Sequence, residues 1–362
     1  RNAQDIFVPL YNHQIPPGAG QVAHFGFRVP PDAAGPLTVE VKLQYRKFDQ
    51  AYMDYVAHSA RDGDRPLRGK EPGQIYRNEL PIVTIASDRI VLPLAGRDDP
   101  IDNAESKIPP WQRWNDYGIG LLLGDRGSGR GELQQAAEAF QEVEKLNRYD
   151  GPLNLARVLY ADGSLDDAVA ALARVAKFND PPAPPWTVAW LSGQVNREQG
   201  HLEQAEQQLR QVLSPPTAAM VERGFDFRLD YEVINLLGMT LFDRAKGKFA
   251  PEDAAEREKL LRDAAEQFQK TLTLDAENVA AHHNLALIYE QLNDPALAEK
   301  HRQLHMRYKP DDNAQDRAIA AARQKYPAAN HAAEVIVIYD LQRSGAFELP
   351  AAAASPPAAV AP

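Results

Sequence analysis

Between Leu155 and Val175 the chain carries a spacing that few folds can accommodate. Leu155, Ala156 and Leu159 recur at helical intervals, Gly163 interrupts them, and Ala168, Leu172 and Val175 resume the same period before Asp180 and Pro181. Apolar residues three and four apart share one face of a helix, so the segment reads as helix, turn, helix. The small Ala156 and Ala168 let the two helices approach, while the leucines fill the seam. The pattern then returns. Gly193, Gly200, Ala205, Leu209 and Val212 repeat it, and so do Leu285, Ala286, Tyr289 and Ala298, with Asn293 in place of the turn glycine. Two further copies are stretched. Trp114, Tyr117, Gly118 and Leu121 match Ala136, Phe140 and Val143 across the glycine-rich Gly124–Gly131; Leu237, Gly238 and Leu241 match Ala264, Phe268 and Thr271 across the charged Asp243–Arg262. A single helix pair cannot bury its apolar face, but five in series cover one another. An α-helical solenoid of about five units over residues 111–326 is predicted, ending in a helix over Asp311–Lys325.

These units resemble the tetratricopeptide repeat, a helix–turn–helix of 34 residues with small side chains where its helices touch. In such a stack the first helix of each pair lines the concave side. Gly118, Ala156, Gly193, Gly238 and Ala286 are equivalent positions, so residues three before and one after each should face inward. That rule selects Asn115, Leu153, Trp190, Asn235 and His283, together with Ile119, Arg157, Gln194, Met239 and Leu287; Arg197, three beyond Gln194, joins them. Asn115, Arg157, Trp190, Gln194, Arg197, Asn235 and His283 are therefore the candidate partner-binding residues. A strip of this polar and aromatic kind suits an extended peptide or a partner surface.

Upstream of Trp111 the period changes to two. Leu37, Val39, Val41, Leu43 and Tyr45 alternate with Thr38, Glu40, Lys42 and Gln44, which predicts a half-buried strand. Alternation over Val22–Val29 and short runs at Asp5–Leu10, Leu80–Ser87 and Arg89–Leu94 predict further strands. Thirteen of the 28 prolines lie within residues 1–110, and turn clusters such as Pro30, Pro31 and Asp32 separate the runs. The expected fold class is α+β and multidomain. Residues 1–100 form an antiparallel β-sandwich-like domain, 101–110 a linker, 111–326 the repeat array, 327–345 an extension of strand or turn around Val335–Tyr339, and 346–362 an Ala/Pro-rich tail.

Several longer strings have a more specific likeness. Ile6–Gly18 (IFVPLYNHQIPPG), Leu43–Asp49 (LQYRKFD), Trp114–Gly118 (WNDYG), Pro184–Trp190 (PPWTVAW), Arg223–Phe227 (RGFDF) and Tyr308–Asn313 (YKPDDN) occur in order. Together they resemble the C-terminal portion of bacterial multihaem c-type cytochrome proteins that carry tetratricopeptide repeats. The resemblance implies a partner, a multihaem c-type cytochrome, and a periplasmic or extracellular location. It also departs from that family in one respect. The chain has no cysteine, so it holds no Cys-x-x-Cys-His attachment site, disulfide or thiol nucleophile. The resemblance therefore implies either the haem-free part of a longer precursor or a separate subunit beside the cytochrome.

Other functions are disfavoured by composition and spacing. The formal charge of -10 argues against nucleic-acid binding, which needs clustered Lys and Arg. The apolar runs at Ile119–Leu123 and Val335–Tyr339 are far short of a membrane span. Gly124–Gly131 lacks the Gly-Lys-Ser/Thr ending of a phosphate loop, and no nucleophile elbow is present. His301 and His305 stand four apart near His282 and His283, but without the glutamate of a zinc-hydrolase motif they read as surface or packing residues. Neither a catalytic site nor a resident cofactor or metal is expected. The leading expectation is a non-catalytic scaffold subunit of an electron-transfer assembly, and the alternative is a periplasmic assembly factor or chaperone holding peptide segments in the groove.

Overall fold

The computed structural model describes residues 15, 18, 20–48, 52–54, 80–97, 101–124, 130–334 and 336–342. The chain divides into two units. The larger takes in 13–23 and 108–337; the smaller takes in 24–107 and returns at 338.

In the larger unit five antiparallel helix pairs follow one another. They are α1 (Pro110–Gly124) with α2 (Arg130–Lys145), α3 (Asp150–Asp162) with α4 (Leu165–Val175), and α5 (Pro185–Glu198) with α6 (Leu202–Val212). After the short α7 (Ala218–Glu222) come α8 (Tyr231–Lys246) with α9 (Ala254–Leu274), and α10 (Val279–Gln291) with α11 (Pro295–Tyr308). The single helices α12 (Asp312–Lys325) and α13 (Pro327–Ala332) close the unit. The array is thus a tetratricopeptide-like run of stacked hairpins.

Pairing follows from side-chain size. Where a first helix carries glycine, an aromatic or leucine side chain of the second helix occupies the missing volume. A Cβ on Gly118 would meet the Phe140 ring at 2.7 Å, one on Gly238 would meet Phe268 at 2.9 Å, and one on Gly193 would meet Leu209 at 3.2 Å. In the second pair Ala156 stands opposite the smaller Leu172, and both are buried in one cluster. The three regular units also end their first helices alike. Gly163 (φ +81°), Gly200 (φ +80°) and Asn293 (φ +56°) adopt the left-handed conformation. The following amides of Ser164, His201 and Asp294 then donate back to the carbonyls of Leu159, Asn196 and Tyr289, at 2.8, 2.8 and 2.9 Å. This double closure satisfies the helix-end carbonyls and turns the chain into the second helix.

The structure refines two sequence expectations. The charged Asp243–Arg262, which stretches the fourth copy in sequence, mostly lengthens its two helices: α8 runs to Lys246 and α9 starts at Ala254. Its charges pair at helical or loop spacing, as in Lys259–Asp263 (2.8 Å) and Lys248–Glu256 (3.0 Å), so a polar run reads as helix extension. The alternation over Val22–Val29 gives only the strand His24–Gly26, because the preceding residues lie against α1. A Cβ on Gly20 would reach the carbonyl oxygen of Asp116 at 2.5 Å, and one on Gly120 would reach Val22 Cγ2 at 2.8 Å. Two glycines, one on each side, allow this backbone-on-helix contact.

The smaller unit contains β1 (His24–Gly26), β2 (Leu37–Tyr45), β3 (Val83–Leu92) and β4 (Ile338–Asp340). β2 pairs antiparallel with β3, Val39 opposite Ile90 and Tyr45 opposite Val83, with a bulge between Leu43 and Gln44. The two strands expected at Leu80–Ser87 and Arg89–Leu94 are one, since Asp88 continues the ladder opposite Val41. Asn103 extends the ladder on the far side of β3: its side chain accepts from the Val91 amide (2.7 Å) and donates to the Val91 carbonyl (3.0 Å). β1 pairs in parallel with β4, His24 opposite Ile338. Among the described residues these are two separate two-stranded sheets, and most of the β2–β3 apolar stripe stays exposed, Val41 at 54% and Leu43 at 51%. A face-to-face sandwich is not seen among them. The run Asp5–Leu10 and the tail 346–362 lie outside the described residues.

Candidate functional site

The first helices stand side by side and form the floor of the candidate groove. α1 touches α3, α3 touches α5, and α8 touches α10. Polar side chains also bridge first helices. Asn154 of α3 donates to Asn115 of α1 at 2.8 Å, and Arg197 of α5 donates to Asp243 of α8 at 2.8 Å.

Those bonds divide the seven candidates. Asn115 accepts from Asn154 and so joins two units. Asn235 is buried at 7% exposure rather than presented to a partner. Thr271 Oγ1 donates to its Oδ1 (2.9 Å), and its Nδ2 donates to Asn278 Oδ1 (3.2 Å), the same oxygen that caps α10 by accepting from the Ala281 amide (3.0 Å). A buried amide so placed ties α8, α9 and the start of α10 together. Trp190 packs against the core formed by Ala189, Val212 and Val233, beside Leu213 and Phe227, and so fills the junction of the third and fourth pairs. Leu153, placed on the groove by the same spacing rule, is also buried.

Arg157, Gln194 and His283 remain at the surface, fully or in part. Arg157 is exposed yet crowded, and desolvation lowers its guanidinium pKa. No carboxylate pairs with it among the described residues. Arg197 is 22% exposed; its Nη2 is taken by Asp243, while its Nε is buried without a hydrogen-bond partner. His283 lies against the His305 ring, with centroids 5.1 Å apart.

One member of the surface escaped the sequence rule. Tyr160 sits three residues beyond Arg157, as Arg197 sits three beyond Gln194, and it is half-buried beside Arg197 and Glu198. Its phenol pKa is raised, first by desolvation and then by the Glu198 charge, with Arg197 acting in the opposite sense. Extending the three-residue step to every first helix would have found it. Arg157, Tyr160, Gln194, Arg197 and Glu198 thus occupy the exposed sides of two adjacent helices, α3 and α5, with Arg197 linked on to Asp243. The strip can hold hydrogen-bond acceptors and an anionic group against an aromatic wall.

His301 and His305, four apart on α11, each meet a histidine of α10. His282 and His301 are buried with Nδ1 atoms 2.9 Å apart, and His282 Nε2 lies 3.1 Å from the Ala276 carbonyl. Tyr289 stacks on His301 and Tyr308 on His282. Among the described residues no three metal-ligating side chains converge, and no helix is long and apolar enough to cross a membrane.

No family model and no curated protein matches this chain. Among solved structures it is similar to MamA (residues 41 to the end) from Desulfovibrio magneticus RS-1, at 17% identity and a TM-score of 0.42 over 58% of this chain and 99% of that one. A second crystal structure of MamA gives 16% identity and a TM-score of 0.40 over 60% and 95%. Superposition at that level identifies neither a family nor a function.

Proposed function

We propose that the helical array is a non-catalytic scaffold that holds a protein partner along the strip formed by α3 and α5. The observation that carries this reading is the state of Arg157. Its guanidinium is exposed on α3, and no carboxylate among the described residues pairs with it. An exposed cation without a counter-ion is open to a charge-assisted hydrogen bond from its N–H groups to an anionic or carbonyl group of a partner. On the next first helix Arg197, 22% exposed, places a second guanidinium beside the strip. A solenoid suits the task because its contacts are local and its surface is held rigidly.

The partner proposed is a multihaem c-type cytochrome, and the location extracytoplasmic, in an electron-transfer assembly. Support for both comes from the ordered strings from Ile6–Gly18 to Tyr308–Asn313, and from nothing in the helix geometry. The test is retention of a haem-bearing partner by tagged protein from its native envelope fraction. Arg157→Glu should keep the melting temperature and lose most of the partner. A variant that retains the haem protein in full refutes the strip as the docking site. Wild-type protein that captures no haem protein refutes the partner. Capture in fixed ratio fits a structural subunit, whereas substoichiometric, transient capture fits an assembly factor.

A further inference from the structure

Four of the nine histidines fall on one helix pair, α10 and α11, and they divide into an inner and an outer couple. The inner couple, His282 and His301, is closed: its Nδ1 atoms face each other and one Nε2 is held by the Ala276 carbonyl. The outer couple is open. His283 is exposed, His305 is half-buried, and their rings stand 5.1 Å apart with planes tilted by 44°. His305 Nδ1 lies 3.2 Å from the Val279 carbonyl oxygen. A carbonyl only accepts, so Nδ1 carries the proton and donates it, which leaves a lone pair on Nε2. Fixing the tautomer through the far nitrogen in this way is how proteins orient metal-bound imidazoles.

We propose that His283 and His305 form a two-histidine site for a divalent transition metal of the zinc, nickel or copper class, with water filling the remaining positions. The proposal stands apart from the partner reading above. Ring spacing supports it. An ion about 2.0–2.1 Å from each nitrogen sits roughly 3.2 Å from each ring centre, and tetrahedral ligation then separates the centres by about 5.2 Å. The observed 5.1 Å agrees with that separation. Imidazole ligands select borderline metals over magnesium or calcium. Partial desolvation, then the neighbouring His305 and Lys309, lower the His283 pKa, which favours the neutral, ligating form of its ring. Lys309 also opposes a bound cation and keeps the affinity moderate. Sequence spacing points instead to the i,i+4 pair His301 and His305, which is split between the two couples.

The test uses the whole chain stripped of metal with a chelator and titrated with Zn(II) by calorimetry, alongside melting curves with and without Zn(II). One equivalent should bind, and Zn(II) should raise the melting temperature by joining α10 to α11. His283→Ala and His305→Ala should each weaken binding by about tenfold or more and abolish the thermal shift. The exposed His331 provides the control: His331→Ala should bind as the wild type does. Unchanged binding in both His283→Ala and His305→Ala overturns the proposal, as does the lack of any heat with millimolar Zn(II). Because His283 is exposed, its variant tests the site even if His305→Ala destabilises the fold.

Discussion

The glycines at the helix contacts make a graded experiment. Replacing glycine by alanine inside a helix stabilises it by about 1 kcal/mol through backbone entropy. Opposing this is the space each new methyl finds. Ordinary carbon–carbon contacts lie at about 3.5–4.0 Å. At Gly118 the methyl would stand 2.7 and 2.8 Å from two ring carbons of Phe140, and at Gly238 it would stand 2.9 and 3.0 Å from Phe268. Both rings are fully buried, so neither can retreat by the required ~0.7 Å without moving its helix. Overpacking of that kind costs ~1–3 kcal/mol, which exceeds the propensity gain. At Gly193 the obstacle is Leu209 Cγ and Cδ2, both at 3.2 Å, so this buried side chain has to give by only a few tenths of an ångström. Gly118→Ala and Gly238→Ala should therefore lose about 1–2 kcal/mol, while Gly193→Ala should be neutral or slightly stabilising. Urea unfolding followed by far-ultraviolet circular dichroism reads the difference. Gly238→Ala combined with Phe268→Leu should recover part of the loss, because it rebuilds the alanine-against-leucine contact of the second pair. If Gly193→Ala proved the most damaging of the three, the size-matching account of helix pairing would be wrong.

Three other outcomes follow from the packing. The His301 pKa is pushed down to about 4 by burial, the neighbouring His282 and Lys300. A histidine whose folded value lies below its unfolded one loses stability as pH falls, so the fifth pair should weaken by up to roughly 3 kcal/mol between pH 6.5 and 4; an amide-exchange profile of α10 and α11 unchanged over that range would contradict this. Asn235→Leu should cost about 1–3 kcal/mol by stranding the Thr271 hydroxyl and loosening the cap of α10, measured by chemical denaturation. Trp190→Ala should lower stability by about 2–4 kcal/mol, and a variant melting with the wild type would return Trp190 to the list of surface anchors.

The repeat was legible in the sequence because its determinants are local. Glycine or alanine in one helix and a ring or leucine in the next lie within about thirty residues, and the turn residue lies between them. The groove was legible only as a direction. A step of three or four residues tells which way Asn235 points, but not that Thr271 and Asn278, 36 and 43 positions away, consume both ends of its amide. Trp190 likewise points toward the groove side and is then covered by Val233 of the following pair. In the fifth pair Arg302 stands where Phe140 and Phe268 stand in their own units, and it is 47% exposed, paired with Glu290 and Glu299. Histidine and tyrosine rings fill the seam instead, a substitution that an apolar pattern cannot reveal. In the β unit, alternation found β2 but not its uncovered face, which depends on what lies opposite rather than on the strand itself.

The parallel pairing of β1 with β4 bears on the order of assembly. Gln342 donates to the Arg28 carbonyl across 314 positions of chain, and the ladder beside it is three residues long. Closing a flexible loop of that size costs roughly 5 kcal/mol beyond a constant term. A few backbone bonds at about 1 kcal/mol each do not meet that cost. The strand pair therefore forms only after the intervening helices have taken up their places and the loop is no longer random coil. A ribosome delivering this chain would release β1 first and leave it without its mate through the synthesis of all five hairpins. Closure of the sheet thus depends on order that the intervening chain has already acquired.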